Sequence, residues 1–346
     1  MNQLPTPPRL TCLRLLLVAG ICSTLTAQAV HKPQGLYASS GAMAESIYTH
    51  PQLRGVLIRA YWSALEPKPG SFDFSRLKVQ VAKVGAAGKP WSLAVMAGGT
   101  GSPAWLIDDL KVPFIDYSFR GKFGNRLPLF WDRTVQAQLK KLAQALAKEY
   151  GDDPLLSLIY VPQMTANGIE GHLQGVSMQT MKAAGYTDDK WVAAASDCAR
   201  SFAHAFPRKA IAIEVHEING AADVPARIIN DLWSDPDLQQ RVGAAMWWLS
   251  GRTNYQTALI EVLKKFPGDI YAQVIGRSDQ THRFKDGDYT AVFAQAKVIG
   301  VRYIEPWEYE FKKGARNANG QWDAAMSDFN DWADTTYAKA SDTPKR

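Results

Sequence analysis

The chain is poor in cysteine, which excludes a disulfide framework. Only three cysteines occur in 346 residues, and Cys12 and Cys22 lie near the N-terminus, within a segment that has the pattern of an export signal. Cys198 would remain alone after export, so no intrachain disulfide is expected. It lies in an alanine-rich stretch with helical spacing, and we predict a small buried side chain there rather than a reactive thiol.

Several motifs that mark a cofactor site or a nucleophile are also missing. The sequence contains no P-loop, no G-x-S-x-G element, no C-x-x-C pair and no Rossmann glycine fingerprint after its first predicted strand. The six histidines are scattered, and His216 has no second histidine three or four residues further on. We therefore expect neither a cofactor nor a catalytic metal.

Concentrated charge and long apolar runs are likewise absent. The formal net charge is +6, but the basic residues form no run of the kind that binds nucleic acid. Beyond the N-terminus no segment is long and apolar enough for a membrane span. A composition of 46% hydrophobic and 21% charged residues is that of an ordinary globular protein. The sequence leaves the oligomeric state open.

The segment 1–29 has the features of a signal peptide. Arg9 and Arg14 supply positive charge, residues 13–25 are mostly apolar, and Ala27-Gln28-Ala29 fits an A-x-A cleavage site. Cys22 admits a lipoprotein as an alternative, but the residue before it is not small. We predict cleavage of this segment and a mature protein that is periplasmic or secreted.

Eight short apolar segments then alternate with helical stretches. They lie at 34–38, 56–62, 92–97, 156–162, 210–215, 244–249, 270–275 and 302–307. Such alternation is typical of a parallel sheet in an α/β protein. Eight units favour a closed (β/α)₈ TIM barrel over a doubly wound sheet. We predict one such domain over residues 30–338, followed by a polar tail at 339–346.

The clearest helix is predicted over 135–150, where apolar residues recur on one stripe. Asp132 is placed to cap its N-terminus, and Gly151 is placed as the C′ residue. Further helices are predicted at 191–206 and 254–266, each followed by a proline.

In a barrel of this kind the active site lies at the carboxyl ends of the strands. Alternation along each strand separates side chains that face the lumen from those that face the helices. The inward side chains near the strand ends are Arg59, Tyr61, Glu214, His216, Gln273, Tyr303, Glu305 and Trp307. A buried arginine is costly unless it is paired, so Arg59 predicts a carboxylate partner, either Glu305 or Glu214.

The fourth predicted strand runs into a loop that carries a further carboxylate. Gly168 and Gly171 bracket Glu170, and a positive φ at Gly168 would lift Glu170 over the barrel mouth. Glu170 is therefore a candidate acid or base, and Asn167 a candidate sugar ligand, with a solvated loop carboxylate as the alternative for Glu170. As a proton donor near neutral pH, Glu170 would need a raised pKa.

Two segments carry a resemblance to a known group of enzymes. Residues 59–73 read R-x-x-W-x-x-x-E-P-x-x-G-x-F-D, and residues 102–106 read S-P-A-W-L. Both resemble the clan A glycoside hydrolases of the β-galactosidase and cellulase type. Glu66, followed by a proline and a Pro-Gly turn, is predicted to anchor that turn rather than to react.

The resemblance implies a glutamate acid/base after the fourth strand and a glutamate nucleophile on the seventh. Glu170 corresponds loosely to the first, but Gln273 stands near the place of the second, and an amide cannot act as a carboxylate nucleophile. Since glycoside cleavage needs two carboxyl groups, Glu305 is predicted as the nucleophile or base, with Glu214 in reserve. Either could instead neutralise Arg59.

Tryptophans supply the other half of a sugar site. Six fall at or just after strand ends: Trp62, Trp105, Trp131, Trp247, Trp248 and Trp307. Flat indole faces pack on the C–H faces of sugar rings, although any one tryptophan could be a core residue. The predicted substrate-binding residues are Arg59, Trp62, Trp105, Asn167, His216, Trp247, Gln273 and Trp307.

These features together predict an exported glycoside hydrolase that acts on an oligo- or polysaccharide. The alternative from another class is a non-catalytic barrel that binds a glycan of the cell envelope, because such a protein could dispense with the seventh-strand glutamate. A barrel hydrolase of non-sugar substrates is a third possibility.

Overall fold

The computed structural model describes residues 1, 30–39, 45–311 and 320–338. The predicted signal peptide, apart from residue 1, and the predicted polar tail lie outside these residues. In the described part of the chain, eight parallel strands close into a barrel in the order β1-β10-β9-β8-β7-β6-β3-β2. These strands are β1 (Gly35–Ala38), β2 (Gly55–Tyr61), β3 (Trp91–Met96), β6 (Leu156–Tyr160), β7 (Ala210–Glu214), β8 (Val242–Leu249), β9 (Ile270–Val274) and β10 (Val301–Glu305). The predicted (β/α)₈ barrel is confirmed.

Helices surround the barrel and follow its strands in the chain. They are α1 (Glu45–Thr49), α2 (Trp62–Leu65), α3 (Ser75–Ala86), α4 (Gly98–Gly101), α5 (Trp105–Asp108), α6 (Arg133–Tyr150), α7 (Met178–Ala183), α8 (Asp188–Ala205), α9 (Asp223–Ser234), α10 (Thr257–Lys265), α11 (Ala291–Ile299) and α12 (Asp323–Tyr337). Short 3₁₀ turns lie at Pro236–Leu238, Thr281–Arg283, Lys285–Gly287 and Glu308–Phe311. None of the described helices combines the length and the apolarity that crossing a membrane requires.

Helix α6 shows how local sequence sets the element boundaries. The Asp132 carboxylate accepts hydrogen bonds from the backbone N–H groups of Thr134 and Val135, as an N-cap does. The predicted apolar stripe is fully buried against the barrel. Gly151 follows directly as the C-cap with a right-handed φ of −58°, rather than one place further on as the C′ residue.

Side chains fill the lumen below the strand ends. Tyr37, Leu57, Tyr160, Tyr271 and Tyr303 belong to one buried cluster inside the barrel. The Tyr303 hydroxyl lies 2.7 Å from that of Ser92, so this polar tip has its partner within the lumen. The predicted inward parities are confirmed, and the packed lumen forms a floor under the C-terminal face.

One element was not predicted. After β3 and α5 the chain forms an antiparallel hairpin from β4 (Phe114–Phe119) and β5 (Lys122–Pro128). It lies outside the barrel sheet and adds a wall to the barrel mouth. Cys198, by contrast, is buried on α8 as predicted, and burial raises the pKa of its thiol.

Candidate active site

A pocket of about 1160 Å³ opens at the carboxyl ends of the barrel strands. It exceeds the volume of roughly 300–1,000 Å³ that is usual for a small-molecule site, so it has room for several sugar units. Seven predicted site residues line it: Arg59, Asn167, Glu170, His216, Trp247, Gln273 and Trp307. The structure therefore brings most of the predicted site into one cavity.

Two loops packed against each other hold Glu170 in this pocket. The backbone N–H of Ala97, after β3, donates to the carbonyl of Gly168, after β6, over 3.0 Å. Gly168 has a φ of +82°, and a Cβ there would collide with the Ala97 carbonyl. The Asn167 side-chain oxygen accepts the N–H of Glu170 at 3.0 Å. Asn167 thus shapes the loop from within, and the predicted positive φ at Gly168 is confirmed.

Glu170 lies beside a histidine. Its Oε2 is 3.0 Å from Nε2 of His172, and among the described lining residues it is the one carboxylate. Burial favours the neutral acid, but the hydrogen bond from His172 and the charges of His216 and His172 outweigh it and lower the pKa of Glu170. A proton donor at this position was expected to have a raised pKa, so the shift in the pKa of Glu170 is opposite to the prediction.

Below Glu170, a second carboxylate is fully engaged by the protein. Glu214 accepts the N–H of Trp247 on Oε1 at 3.0 Å and the N–H of Gly171 on Oε2 at 2.5 Å. The same Oε2 lies 3.0 Å from Nδ1 of His216. Burial lowers the pKa of His216, but the Glu214 carboxylate more than compensates, and the net shift is upward. Burial also raises the pKa of Glu214 itself.

Arg59 makes a different contact from the one predicted. Its Nη2 donates to Oε1 of Gln273 at 2.7 Å and to the Ser39 hydroxyl at 3.0 Å. No carboxylate of the described residues forms an ion pair with it: the predicted partner Glu305 lies nearby but not in direct contact, and the other candidate, Glu214, pairs with His216 instead. The reason is that the Gln273 amide stands between the two charges, since its Nε2 donates to Oε2 of Glu305 at 2.8 Å.

Glu305 lies beneath this chain of contacts. Its side chain is 0% exposed, and its Oε1 accepts the hydroxyls of Tyr160 at 2.9 Å and Tyr303 at 2.5 Å. Burial raises the pKa of Glu305 to about 7, against the lowering effect of the Tyr303 and Gln273 hydrogen bonds. The predicted nucleophile or base is thus present at the strand end but does not line the pocket.

The tryptophans divide into two groups. Trp247, Trp248 and Trp307 line the pocket, and the Arg59 guanidinium lies 4.8 Å from the ring centroid of Trp247 and 5.5 Å from that of Trp307. Trp131 packs with aromatic residues around α8 instead.

Trp62 and Trp105, both predicted to bind substrate, lie behind the pocket wall. Trp62 is 0% exposed, and its Nε1 donates to Glu66 at 2.8 Å, while Nε1 of Trp105 donates to the Glu66 carbonyl. Neither lines the pocket, and both indole N–H groups donate to Glu66 in the turn after β2. Glu66 also accepts the N–H of Gly70 at 2.8 Å, so its predicted role as an anchor of the turn is confirmed.

The sequence reasoning missed several lining residues on loops. Arg252 and Arg283 follow β8 and β9, and Arg120 forms the turn of the hairpin. The hairpin had a readable signal, since apolar and polar residues alternate from Ile115 to Phe119 before an Arg-Gly turn. The arginines had no such signal, because the alternation of side chains along a strand says nothing about the direction of a side chain on a loop.

No group of three or more His, Cys, Asp or Glu side chains in the described part of the chain is arranged to hold a metal ion. The polar groups of the pocket instead hydrogen-bond to one another. The chemistry that they offer is proton transfer by Glu170 and His216 and recognition of hydroxyl or acidic groups by the amides and arginines.

Comparison with known families gives a match over part of the chain. Residues 53–167 match the family model of a β-galactosidase, glycoside hydrolase family 42. The match includes both segments on which the resemblance was based and ends just before Glu170. A comparison with curated proteins gives no match.

A solved structure of low sequence identity shares the fold. The catalytic domain of a β-amylase from Paenibacillus polymyxa is 11% identical with a TM-score of 0.55, over 91% of this chain and 100% of that one. A GH10 structure from Paenibacillus barcinonensis is 12% identical with a TM-score of 0.46, over 88% and 81% of the two chains. The family match confirms the resemblance to the clan A glycoside hydrolases and supports the prediction that the protein is a glycosidase.

Proposed function

We propose that this protein is an exported glycoside hydrolase that cleaves O-glycosidic bonds of an oligo- or polysaccharide in the pocket at the barrel mouth. The observation that carries the proposal is the position of Glu170, the single carboxylate lining that pocket among the described residues, in a chain whose residues 53–167 match a β-galactosidase family. Export rests on the N-terminal pattern of charge, apolar residues and A-x-A site.

Glu170 enters the reaction as a carboxylate. Since its pKa is lowered by His172 and His216, it is ionised at neutral pH. A carboxylate against a sugar either attacks the anomeric carbon or takes a proton from an attacking water. We assign one of these two roles to Glu170 in place of the proton donation expected from the sequence.

The leaving oxygen also needs a proton, and His216 is positioned to supply it. Its Nδ1 is held by Glu214, which leaves Nε2 for the pocket, and its raised pKa favours the protonated ring. His216 is thus the second acid–base group, and Glu214 acts through it. Glu305 remains the alternative second carboxylate, but it is buried under Gln273 and is better suited to positioning Arg59.

The test is hydrolysis of a broad panel of glycans by the wild type, Glu170→Gln and the surface control Glu261→Gln. Removing the carboxylate that contacts the sugar should lower kcat by about 10²–10⁴-fold, the usual contribution of one acid–base group. The control should match the wild type, because Glu261 lies on α10 in a solvent-exposed ion pair. Unchanged turnover by Glu170→Gln would exclude the assignment.

One observation favours a second candidate function, the non-catalytic glycan-binding barrel. Gln273 stands on the seventh barrel strand, and the other two candidate glutamates are both buried and hydrogen-bonded within the protein. Measurable glycan binding by the wild type, with no hydrolysis of any panel member, would establish this candidate and reject the hydrolase.

A further inference from the structure

We infer that the glycan bound in this pocket is acidic, with carboxylate or sulfate groups on more than one sugar. As a statement about the substrate, this inference rests on the hydrolase proposed above. As a statement about binding, it does not depend on hydrolysis. The described lining residues include five arginines and a single carboxylate. These arginines are Arg59, Arg120, Arg252, Arg277 and Arg283. Arg277 pairs with Asp279, but a neutral sugar would leave the other four arginines without an ion-pair partner among the described residues.

Two of the three lining arginines after β8 and β9 are held in place without being neutralised. Arg252 donates through Nη2 to the backbone carbonyl of His282, and Arg283 donates through Nη1 to that of Ile275 at 2.8 Å. A carbonyl oxygen fixes a guanidinium but carries no charge to cancel it. Arg277 alone in this group has a carboxylate partner, Asp279, with two contacts of 3.0 Å. Two ordered positive charges therefore face the pocket.

Arg59 adds a third charge at the floor. Its partners, Gln273 and Ser39, are neutral, and its Nε is buried without a hydrogen-bond partner among the described residues. The indole rings of Trp247 and Trp307 flank the guanidinium. Surroundings of low polarity strengthen the attraction between this charge and an anion, and an Arg fork matches the two oxygens of a carboxylate or sulfate group.

The charges are spread across the pocket rather than gathered at one point. Arg120 belongs to the hairpin after β3, whereas Arg283 belongs to the loop after β9. In the closed order of eight strands, β3 and β9 stand on opposite sides of the barrel. A chain lying across the mouth meets positive charge at both rims and at the floor. This distribution fits a polymer with repeated acidic groups better than a sugar with one phosphate.

The experiment compares each acidic glycan with its own neutralised form. Oligosaccharides of polygalacturonate, alginate, hyaluronan and chondroitin sulfate serve as probes, and each is compared with its carboxyl-reduced or desulfated counterpart. Single-stranded DNA serves as a polyanion that is not a glycan. At least one acidic probe should bind about tenfold or more tightly than its neutralised form, and its Kd should rise with salt. If carboxyl reduction weakens binding, the recognised group is a carboxylate. If desulfation weakens binding, it is a sulfate.

Charge variants locate the effect. Arg252→Gln and Arg283→Gln should each weaken binding of the acidic probe by about tenfold, the contribution of one charge-assisted hydrogen bond, and leave the neutralised probe unaffected. Arg208→Gln removes the same charge from the opposite end of the barrel, where Arg208 precedes β7 and pairs with Asp152, and should change neither.

The outcomes separate this inference from the proposed hydrolase. Equal binding of acidic and neutralised probes, no binding of any acidic probe, or DNA binding as tight as that of the best glycan would each overturn the inference. Hydrolysis of a neutral galactan in the same assays would then leave the proposed function intact. Binding of an acidic probe that is weakened about tenfold in Arg252→Gln, with no turnover of any glycan, would instead support the inference and reject the hydrolase.

Discussion

Glu170 and Glu305 lie at the carboxyl ends of opposite barrel strands, β6 and β10, yet they have opposite environments. Glu170 stands on a loop, lines the pocket and contacts a histidine, and its pKa is lowered. Glu305 ends its strand, is 0% exposed, and accepts hydrogen bonds from neutral tyrosine and amide groups, and its pKa is raised to about 7. Position at a strand end thus sets only where a carboxylate is, whereas its neighbours set its charge.

The largest expected difference between the two is in catalysis. Glu170→Gln should lower kcat by about 10²–10⁴-fold, whereas Glu305→Gln should keep kcat within about tenfold and act mainly on KM, because an amide preserves the packing under Arg59. Steady-state kinetics on one hydrolysed glycan measures both. Equal inactivation by the two substitutions would show that Glu305 also reacts with the sugar and would remove the contrast.

Stability should depend on pH through Glu305. Between pH 4.5 and about 7 the unfolded chain loses the Glu305 proton while the folded chain keeps it, so the wild type becomes less stable as pH rises. The shift from 4.5 to about 7 corresponds to roughly 3 kcal/mol. The Glu305→Gln variant should not show this loss of stability with rising pH. Urea unfolding from pH 4.5 to 8 would give parallel curves for the two proteins if the contrast is mistaken.

The loop that carries Glu170 depends on a glycine, and a matched control is present elsewhere. Gly168 (φ +82°) would bring a Cβ against the Ala97 carbonyl, whereas Gly88 (φ +64°) has open space around it. Gly88→Ala should cost about 1–2 kcal/mol for the left-handed conformation alone. Gly168→Ala should cost about 1–3 kcal/mol more and also reduce activity. Denaturant unfolding and kinetics of both variants would show equal effects if the two loops did not interlock.

The smallest effect concerns the protonation of Glu170. His172→Asn removes the hydrogen bond and the nearby charge that lower the pKa of Glu170, so this pKa should rise. The carboxylate is the active form, and the acid limb of the kcat/KM profile should therefore move to higher pH. The same profile should not move in Glu261→Gln. A limb that stays in place in His172→Asn would show that another group controls it.

Much of this molecule follows from local sequence. Alternating apolar segments predict all eight barrel strands, and the Asp132 cap and the Glu66 turn are found as predicted. The inward direction of Arg59 and Glu305 also follows, because a strand has a period of two residues. These features depend on neighbours in the chain, whose geometry the backbone fixes.

The contacts that decide the chemistry depend on residues far apart in the chain. Arg59 and Gln273 are separated by 214 positions, and only barrel closure shows that the amide, rather than a carboxylate, meets the guanidinium. The same holds for the burial of Trp62 and for the arginines that the loops direct into the pocket. The sequence by itself determined the barrel and the strand ends on which polar groups lie. Tertiary structure decided which of those groups reach the pocket and which are ionised, because both depend on burial and on partners from other strands.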